Sequence, residues 1–330
     1  MKTNTNLVTL TFQTIQTQQH HEVAKGDFTL LLSSIQTACK FISSKVRKAG
    51  MANLYGTAGG LNVTGDVQKK LDILANEVFI NSLKSSQQVS VILSEEEEKP
   101  IIVDEEAKYI VSIDPLDGSS NIDANVTIGS IFGIWRKSEN KLDPSHLLQK
   151  GTDLIASGYC VYGSSTQLIT CIDKVVNGYT LDPSLGEFIL THPDLKMPEN
   201  TPTYSINEGN SIYWDESITE FVKRKKGFTG KKPYSLRYIG SMVADVHRTL
   251  LYGGIFMYPA DSKSTEGKLR LMYECNPLSF IIETAGGKAS TGKERILMIQ
   301  QNDTHQRCSA IIGNAKDVEE IEELYSKNKN

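Results

Sequence analysis

Tyr109-Ile-Val-Ser-Ile113 runs straight into Asp114-Pro-Leu-Asp-Gly-Ser-Ser-Asn121. The β-branched run predicts a strand, and the eight residues after it predict an acidic turn at the strand's end. Two carboxylates three residues apart around a proline can both point into one pocket. Pro115 stiffens the turn, and Gly118 lets the backbone come close to a bound group. Backbone amides and the hydroxyls of Ser119 and Ser120 offer donors to an anion, and a helix starting there would add its dipole. Carboxylates beside phosphate donors are what a Mg²⁺-bridged phosphate needs, because Mg²⁺ takes few protein carboxylates, keeps waters and shares phosphate oxygens. An isolated Asp-x-x-Asp-Gly is more often a solvated turn held by Asx hydrogen bonds. Other acids must decide.

Working outward, Ser94-Glu-Glu-Glu-Glu98 follows an apolar run, Val89 to Leu93, so its first acids emerge at a strand end. Glu95 and Glu96 suit a cation that neutralises them, whereas Glu97 and Glu98 read as a solvated face. Glu274 lies inside Leu271-Met-Tyr-Glu-Cys275 and is expected to be buried, which requires a metal or the nearby Arg270 as partner. Asp66 sits at an N-cap position, before a helix with Val67, Leu71, Leu74 and Val78 on its apolar face, and Asp72 lies just inside it. The glycine-rich stretch Tyr55 to Gly65 predicts a mobile loop.

Asp27 to Ala49 predicts an amphipathic helix on Phe28, Leu31, Leu32, Ile35, Cys39, Ile42 and Val46. Strands are predicted over Ile131 to Trp135, Leu154 to Tyr162, Gln167 to Ile172, Phe188 to Leu190, Arg237 to Ile239 and Ile255 to Tyr258. Val243 to Tyr252 is a mixed run, and helices are predicted over Leu271 to Ala285 and Val318 to Tyr325. The proline-rich segment His192 to Pro202 is the candidate domain boundary. Such mixing predicts an α/β (or α+β) class in layers.

The 330 residues carry a net charge of −4, which argues against nucleic acid or an anionic membrane as partner. No apolar stretch reaches membrane-span length; Thr249 to Ala260 falls short. Five scattered cysteines without a Cys-x-x-Cys pair predict reduced core thiols and a cytoplasmic location. His247 is expected to be a hydrogen-bonded core histidine, and Trp135 and Trp214 packing residues. Lys223 to Lys226 reads as a solvated face, and His20-His21 as a surface pair.

The string Val111 to Asp123 is similar to the signature of the lithium-sensitive, Mg²⁺-dependent phosphatases. Val46-Arg-Lys-Ala-Gly50, Asn62-Val-Thr-Gly-Asp66, Gly240-Ser-Met-Val-Ala-Asp-Val-His-Arg-Thr249, Tyr252-Gly-Gly-Ile-Phe256 and Gly267-Lys-Leu-Arg270 resemble class I fructose-1,6-bisphosphatases, from about Gly26 to Tyr325. The resemblance implies a layered αβαβα sugar-phosphatase fold in two packed domains. These are a regulatory one, 1–197, with most of the metal carboxylates, and a sugar-bisphosphate one, 198–330. It implies Mg²⁺, with Mn²⁺ able to substitute, on Asp66, Glu95, Asp114, Asp117, Glu274 and the Leu116 carbonyl. Asp72 and Glu96 match the general-base pair. Substrate contacts fall on Asp117, Gly118, Ser119, Ser120, Asn207, Asn210, Tyr238, Tyr258, Lys268 and Arg270, with Arg237 reaching a neighbouring subunit's site. Asn210 stands where many relatives have Tyr. An AMP site is implied on Gly26, Asp27, Phe28, Thr29, Lys108, Tyr109 and Arg136, together with a homotetramer. The implied reaction is hydrolysis of the 1-phosphate of fructose 1,6-bisphosphate. Alternatives are a sedoheptulose-bisphosphate or other polyol-phosphate phosphatase, or a non-catalytic AMP-sensing protein.

Overall fold

The structure, a computed structural model, describes residues 7–19, 24–49, 51, 56–61, 67–137, 147–230 and 232–328. The chain opens with α1 (Leu10–Gln18) and α2 (Asp27–Val46). Helix α2 buries Leu31, Leu32, Ile35, Cys39 and Ile42, the stripe that its three- and four-residue spacing predicts, and ends three residues short of Ala49. The glycine-rich stretch is not all loop. Strand β1 (Thr57–Leu61) pairs antiparallel with β2 (Val67–Lys69), so the following helix, α3 (Lys70–Ser85), starts later than an Asp66 cap would require. The Asp72 carboxylate accepts the Lys69 amide at 2.7 Å and caps α3 from within.

Eight strands follow: β3 (Val89–Ser94), β4 (Ile101–Ile102), β5 (Tyr109–Asp117), β6 (Ile128–Arg136), β7 (Leu154–Tyr162), β8 (Thr166–Ile172), β9 (Val175–Asp182) and β10 (Glu187–His192). They form one sheet in the order β10-β9-β8-β7-β6-β5-β3-β4, antiparallel throughout except where β3 runs parallel to β5. One face packs on α1, α2 and α3 through Leu31, Ile35, Phe79, Phe132 and Phe188.

The second half begins with β11 (Thr203–Ser205), α4 (Glu216–Lys225), β12 (Ser235–Leu236) and α5 (Met242–Tyr252). Next come β13 (Ile255–Tyr258), β14 (Leu269–Arg270), a π-helical turn Leu271–Cys275 and α6 (Asn276–Thr284). The chain closes with β15 (Lys288–Ser290), β16 (Arg307–Cys308), β17 (Ala310–Gly313) and α7 (Ala315–Lys327). Strands β12-β11-β13-β17-β15 form a five-stranded sheet, and β14 pairs with β16. Helices α5 and α6 lie between the two sheets, burying Ile131, Tyr159, Val243, Leu250, Leu278 and Phe256. Helices α4 and α7 cover the outer face with Phe221, Val222, Val318 and Ile321. The result is five layers, αβαβα.

Several expectations shift. The predicted strand Arg237 to Ile239 is a loop after β12, and the single helix Leu271 to Ala285 splits into a π turn and α6. Lys225 does not belong to a solvated face: it is buried between Asp317 (2.6 Å) and Glu320 (2.9 Å), over the rings of Phe221 and Tyr234. All five cysteines are free and buried. Trp135 is buried and donates to the Lys150 carbonyl at 2.9 Å, and Trp214 packs against the outer core. His247 bonds the buried Tyr159 hydroxyl at 3.0 Å. His20 and His21 lie outside the described residues. No helix among the described residues is long and apolar enough to cross a membrane.

Candidate active site

Parallel pairing of β3 with β5 brings the first acids together. Ser94 stands opposite Ile113, and the Glu95 amide donates to the Ile113 carbonyl at 3.1 Å. Glu95 and Asp114 therefore leave neighbouring strands at the same level. The segment Asp114 to Asp117 is the irregular end of β5 rather than a free turn. Asp114 pairs with Ile131 but Asp117 with Gly129, so three steps on β5 match two on β6. On a regular strand, residues three apart face opposite ways. The bulge absorbs one residue and turns both carboxylates to one side. The Ser130 hydroxyl holds the bulge by donating to the Pro115 carbonyl at 2.7 Å.

Glu274 arrives from the second half of the chain. Its π turn is tied to β5 where the Ser112 hydroxyl donates to the Met272 carbonyl at 3.2 Å. Carboxylate oxygens of Asp114, Asp117 and Glu274 lie within 4.8 Å of one another, all three residues buried. Their charges are strongly opposed by their surroundings. Burial first, then Glu95 and its neighbours, push Asp114 and Glu274 well above the usual carboxylate range. Burial likewise raises Glu95 to about 7 and Asp117 to about 6. Part of the charge is answered at the edges: the Arg270 amide donates to Glu274, and Asp117 accepts the Val243 amide (2.8 Å) and the Ser241 hydroxyl (3.3 Å). Hard oxygen donors crowded without an adequate counter-charge fit a divalent cation such as Mg²⁺ or Mn²⁺, and not a soft-metal site.

The acids form one wall of a cavity of about 590 Å³. Asp72, Glu96, Leu116, Gly118, Ser119, Ser120, Tyr238, Tyr258, Lys268 and Arg270 line the rest, so most of the predicted site residues meet here. Burial lifts Asp72 to about 7, opposed by the Lys69 amide and assisted by Glu96. Asn207 and Asn210 face a separate small cavity that shares Tyr258 as a wall. Arg237 is exposed, donates to the carbonyl of the preceding residue, Leu236, and lines neither cavity. Asp66 lies outside the described residues.

Gly118 has φ +77°, and a Cβ there would stand 2.6 Å from the Ser241 hydroxyl oxygen. Glycine is thus required by the close approach of Ser241, a reason local sequence could not supply. Lys69, Gly240, Ser241, Met242, Asp245 and Phe256 also line the cavity and escaped the residue-by-residue reading. Asp245 accepts the Ile239 and Gly240 amides (both 3.0 Å) and the Ser205 hydroxyl (2.7 Å), fixing the loop that carries Tyr238. Its place in the string Gly240 to Thr249 was the available signal. Glu97, read as a solvated residue, instead accepts from the Asn76 side-chain Nδ2 at 2.7 Å.

A second cavity, about 220 Å³, opens at the start of α2. Gly26, Asp27, Phe28, Tyr109 and Arg136 line it, as do Thr14, Thr17 and Gln18 of α1, which the sequence reading did not anticipate. Lys108 is ion-paired with Asp27, and the Thr29 hydroxyl donates to Gln18 at 2.7 Å. The Phe28 and Tyr109 rings meet edge to face at 5.9 Å.

Comparisons with known proteins agree with this arrangement. The family models described as "Fructose-1-6-bisphosphatase, N-terminal domain" and "Fructose-1-6-bisphosphatase, C-terminal domain" match residues 8–193 and 197–326. A cytosolic fructose-1,6-bisphosphatase of a Saccharum hybrid is 53% identical over 327 residues, 98% of this chain and 95% of that protein. The Arabidopsis thaliana cytosolic fructose-1,6-bisphosphatase is 51% identical over 98% of this chain and 96% of its own length. Among solved structures, Leishmania major fructose-1,6-bisphosphatase in holo form superposes with a TM-score of 0.92 at 45% identity. That match covers 97% of this chain and 99% of the other. With both domain families and near-full-length relatives in agreement, the chain belongs to the fructose-1,6-bisphosphatase family.

Proposed function

We propose that this chain hydrolyses the 1-phosphate of fructose 1,6-bisphosphate in the cytosol, using Mg²⁺, with Mn²⁺ as a substitute. The phosphatase class and the sugar-bisphosphate substrate follow from family membership. The observation that carries the chemistry is the convergence of Asp114, Asp117 and Glu274 within 4.8 Å on the wall of a cavity that also holds Ser119, Ser120 and Lys268. Glu95, Asp114, Asp117, Glu274 and the Leu116 carbonyl would hold the cations, and Asp66 is assigned with them. Bound there, they supply charge neutralisation and Lewis-acid polarisation of the phosphoryl group. Ser119, Ser120 and the amide of Gly118 orient that phosphate. Tyr238, Tyr258, Lys268, Asn207 and Asn210 hold the distal phosphate, and Arg270 and Asp117 face the sugar. Asp72, paired with Glu96, takes the proton of the attacking water; burial has raised it to about 7, close to the pH at which it must work.

Under this reading the α2 cavity takes AMP, with Gly26, Asp27, Phe28, Thr29, Lys108, Tyr109 and Arg136 around it. Supporting observations are the helix start at Gly26, the aromatic wall and the Arg136 cation. Residues 1–197 form the regulatory domain and 198–330 the sugar-phosphate domain, in keeping with two family models that adjoin near that point. The protein would work as a homotetramer, with Arg237 supplied to a neighbour; its exposure outside the subunit's own cavities favours this.

The test is phosphate release from fructose 1,6-bisphosphate with and without Mg²⁺, then with AMP. Metal-dependent turnover suppressed by AMP is expected. Turnover that ignores AMP removes the regulatory part, and no turnover from folded protein with either metal removes the whole reading.

A further inference from the structure

Glu95 and Glu96 sit in a turn with no helix or strand of its own, yet they must keep a fixed distance from Glu274 on another part of the chain. Hydrogen bonds hold that turn from two sides and from within. On one side, the Asn76 side chain of α3 donates through Nδ2 to the Glu97 carboxylate at 2.7 Å, and the Ser94 hydroxyl donates to Asn76 Oδ1 at 2.7 Å. From within, the Glu96 amide donates to the Ser94 hydroxyl oxygen at 3.3 Å. On the other side stands His305. Its Nε2 lies 3.1 Å from the Glu97 carbonyl oxygen, and its Nδ1 lies 3.0 Å from the Tyr273 hydroxyl.

A carbonyl oxygen only accepts, so Nε2 carries the proton; in the neutral ring Nδ1 then accepts from the Tyr273 hydroxyl. The imidazole is held in place by its own amide, which donates to Asp303 at 2.6 Å, and by edge-to-face packing on the Tyr273 ring at 6.0 Å. Tyr273 is fully buried and directly precedes Glu274. One side chain therefore ties the backbone of the Glu95–Glu97 turn to the π turn that carries Glu274. Such outer contacts orient metal-ligating carboxylates, and losing one costs about 10–100-fold in metal affinity or activity.

We propose that His305 is a positioning residue that sets the separation of Glu95 and Glu96 from Glu274, and so the cation affinity of the acid cluster. The proposal rests on the reading of that cluster as a divalent-cation site. The experiment is titration of full-length protein with Mn²⁺, followed by calorimetry and by the Mn²⁺ spin-resonance signal, for wild type, His305→Ala, His305→Gln and Tyr273→Phe. Phosphate release is followed in parallel. His305→Ala is expected to weaken Mn²⁺ binding about tenfold or more and to raise the Mn²⁺ concentration for half-maximal turnover by a similar factor. KM for fructose 1,6-bisphosphate should move less than about threefold. His305→Gln, whose amide can still donate to the Glu97 carbonyl, should recover much of the loss. Tyr273→Phe removes one hydroxyl, remains folded, and should shift Mn²⁺ affinity in the same direction by a smaller factor. If Tyr273→Phe and folded His305→Ala both bind Mn²⁺ within twofold of wild type, the positioning role is overturned while the cation site stands. If wild type itself binds no Mn²⁺, both the cation reading and this inference fall.

Discussion

The Val243 amide, in the first turn of α5, donates to the Asp117 carboxylate across 2.8 Å. This bond joins the bulged end of β5 to a helix from the other half of the chain, and it places a helix N-terminus against a buried acid. Asparagine at 117 can still accept from Val243 but carries no charge. Asp117→Asn is therefore expected to fold, to gain thermal stability in metal-free buffer near pH 7.5, and to lose about 100-fold or more in kcat. Melting curves with chelator and initial rates with Mg²⁺ check it; substantial turnover in the variant would remove Asp117 from the cation set.

Chelation should reveal the cost of the acid cluster. Asp72 and Glu95 are raised to about 7 from ordinary carboxylate values near 4, so between these limits the folded chain binds more protons than the unfolded one. Stability attributable to these groups is then present at low pH and is lost as pH rises from about 4 to 7. Metal-free protein is expected to melt lower at pH 7.5 than at pH 5.5, and Mn²⁺ to restore the difference. At a hundredfold excess over its dissociation constant, a ligand stabilises by about 2.7 kcal/mol. Identical melting with and without Mn²⁺ at pH 7.5 would contradict this.

His247 gives the opposite slope. Burial first, and His192 second, lower it from 6.5 to about 4. The unfolded chain binds the extra proton between those values, so this contribution is complete above pH 6.5 and is lost as pH falls toward 4. The window corresponds to about 3 kcal/mol. Compared with wild type in the same buffer at each pH, His247→Gln should lose less urea-unfolding stability between pH 6.5 and 4.5, and an unchanged difference between the two proteins would count against it.

Gly118→Ala meets two obstacles at once, a left-handed φ of +77° and the Ser241 hydroxyl oxygen 2.6 Å from the new Cβ. A loss of about 1–3 kcal/mol in chemical unfolding is expected, together with a raised KM for the bisphosphate as Ser119 is displaced.

In the α2 cavity, Arg136→Ala should raise the AMP concentration for half-inhibition about tenfold, read from rates at fixed substrate. Asp27→Asn should lower it, because Lys108 is released from its ion pair with Asp27. Equal inhibition in all three proteins would remove the nucleotide assignment.

Much of the architecture was legible where hydrophobic period and length agreed. Leu154–Tyr162 and Ile255–Tyr258 are strands with the predicted ends, and α2 buries its predicted stripe. Strand β9 was not seen, because Asn177, Gly178 and Thr180 interrupt its apolar residues and only pairing with β8 and β10 makes it a strand. Helix α1 is not predicted from its spacing: among its residues only Leu10 and Thr14 are buried, too little for a periodic signal. Lys225 looked like one of four solvated cations, and only the approach of α7 gave it Asp317 and Glu320.

By itself, the sequence determined the residue chemistry: several acids beside phosphate donors, a buried glutamate, and glycine where the chain turns sharply. Those follow from side-chain type and near-neighbour spacing. Tertiary structure alone decided that Asp114 and Asp117 face the same way, since that depends on a bulge defined by the register of β5 against β6. It also decided that Glu274 meets them, that Ser241 excludes any side chain at Gly118, and that His305 bridges Glu97 to Tyr273. Each of these joins residues far apart along the chain. Their distances are set by sheet pairing and helix packing, which local composition does not encode.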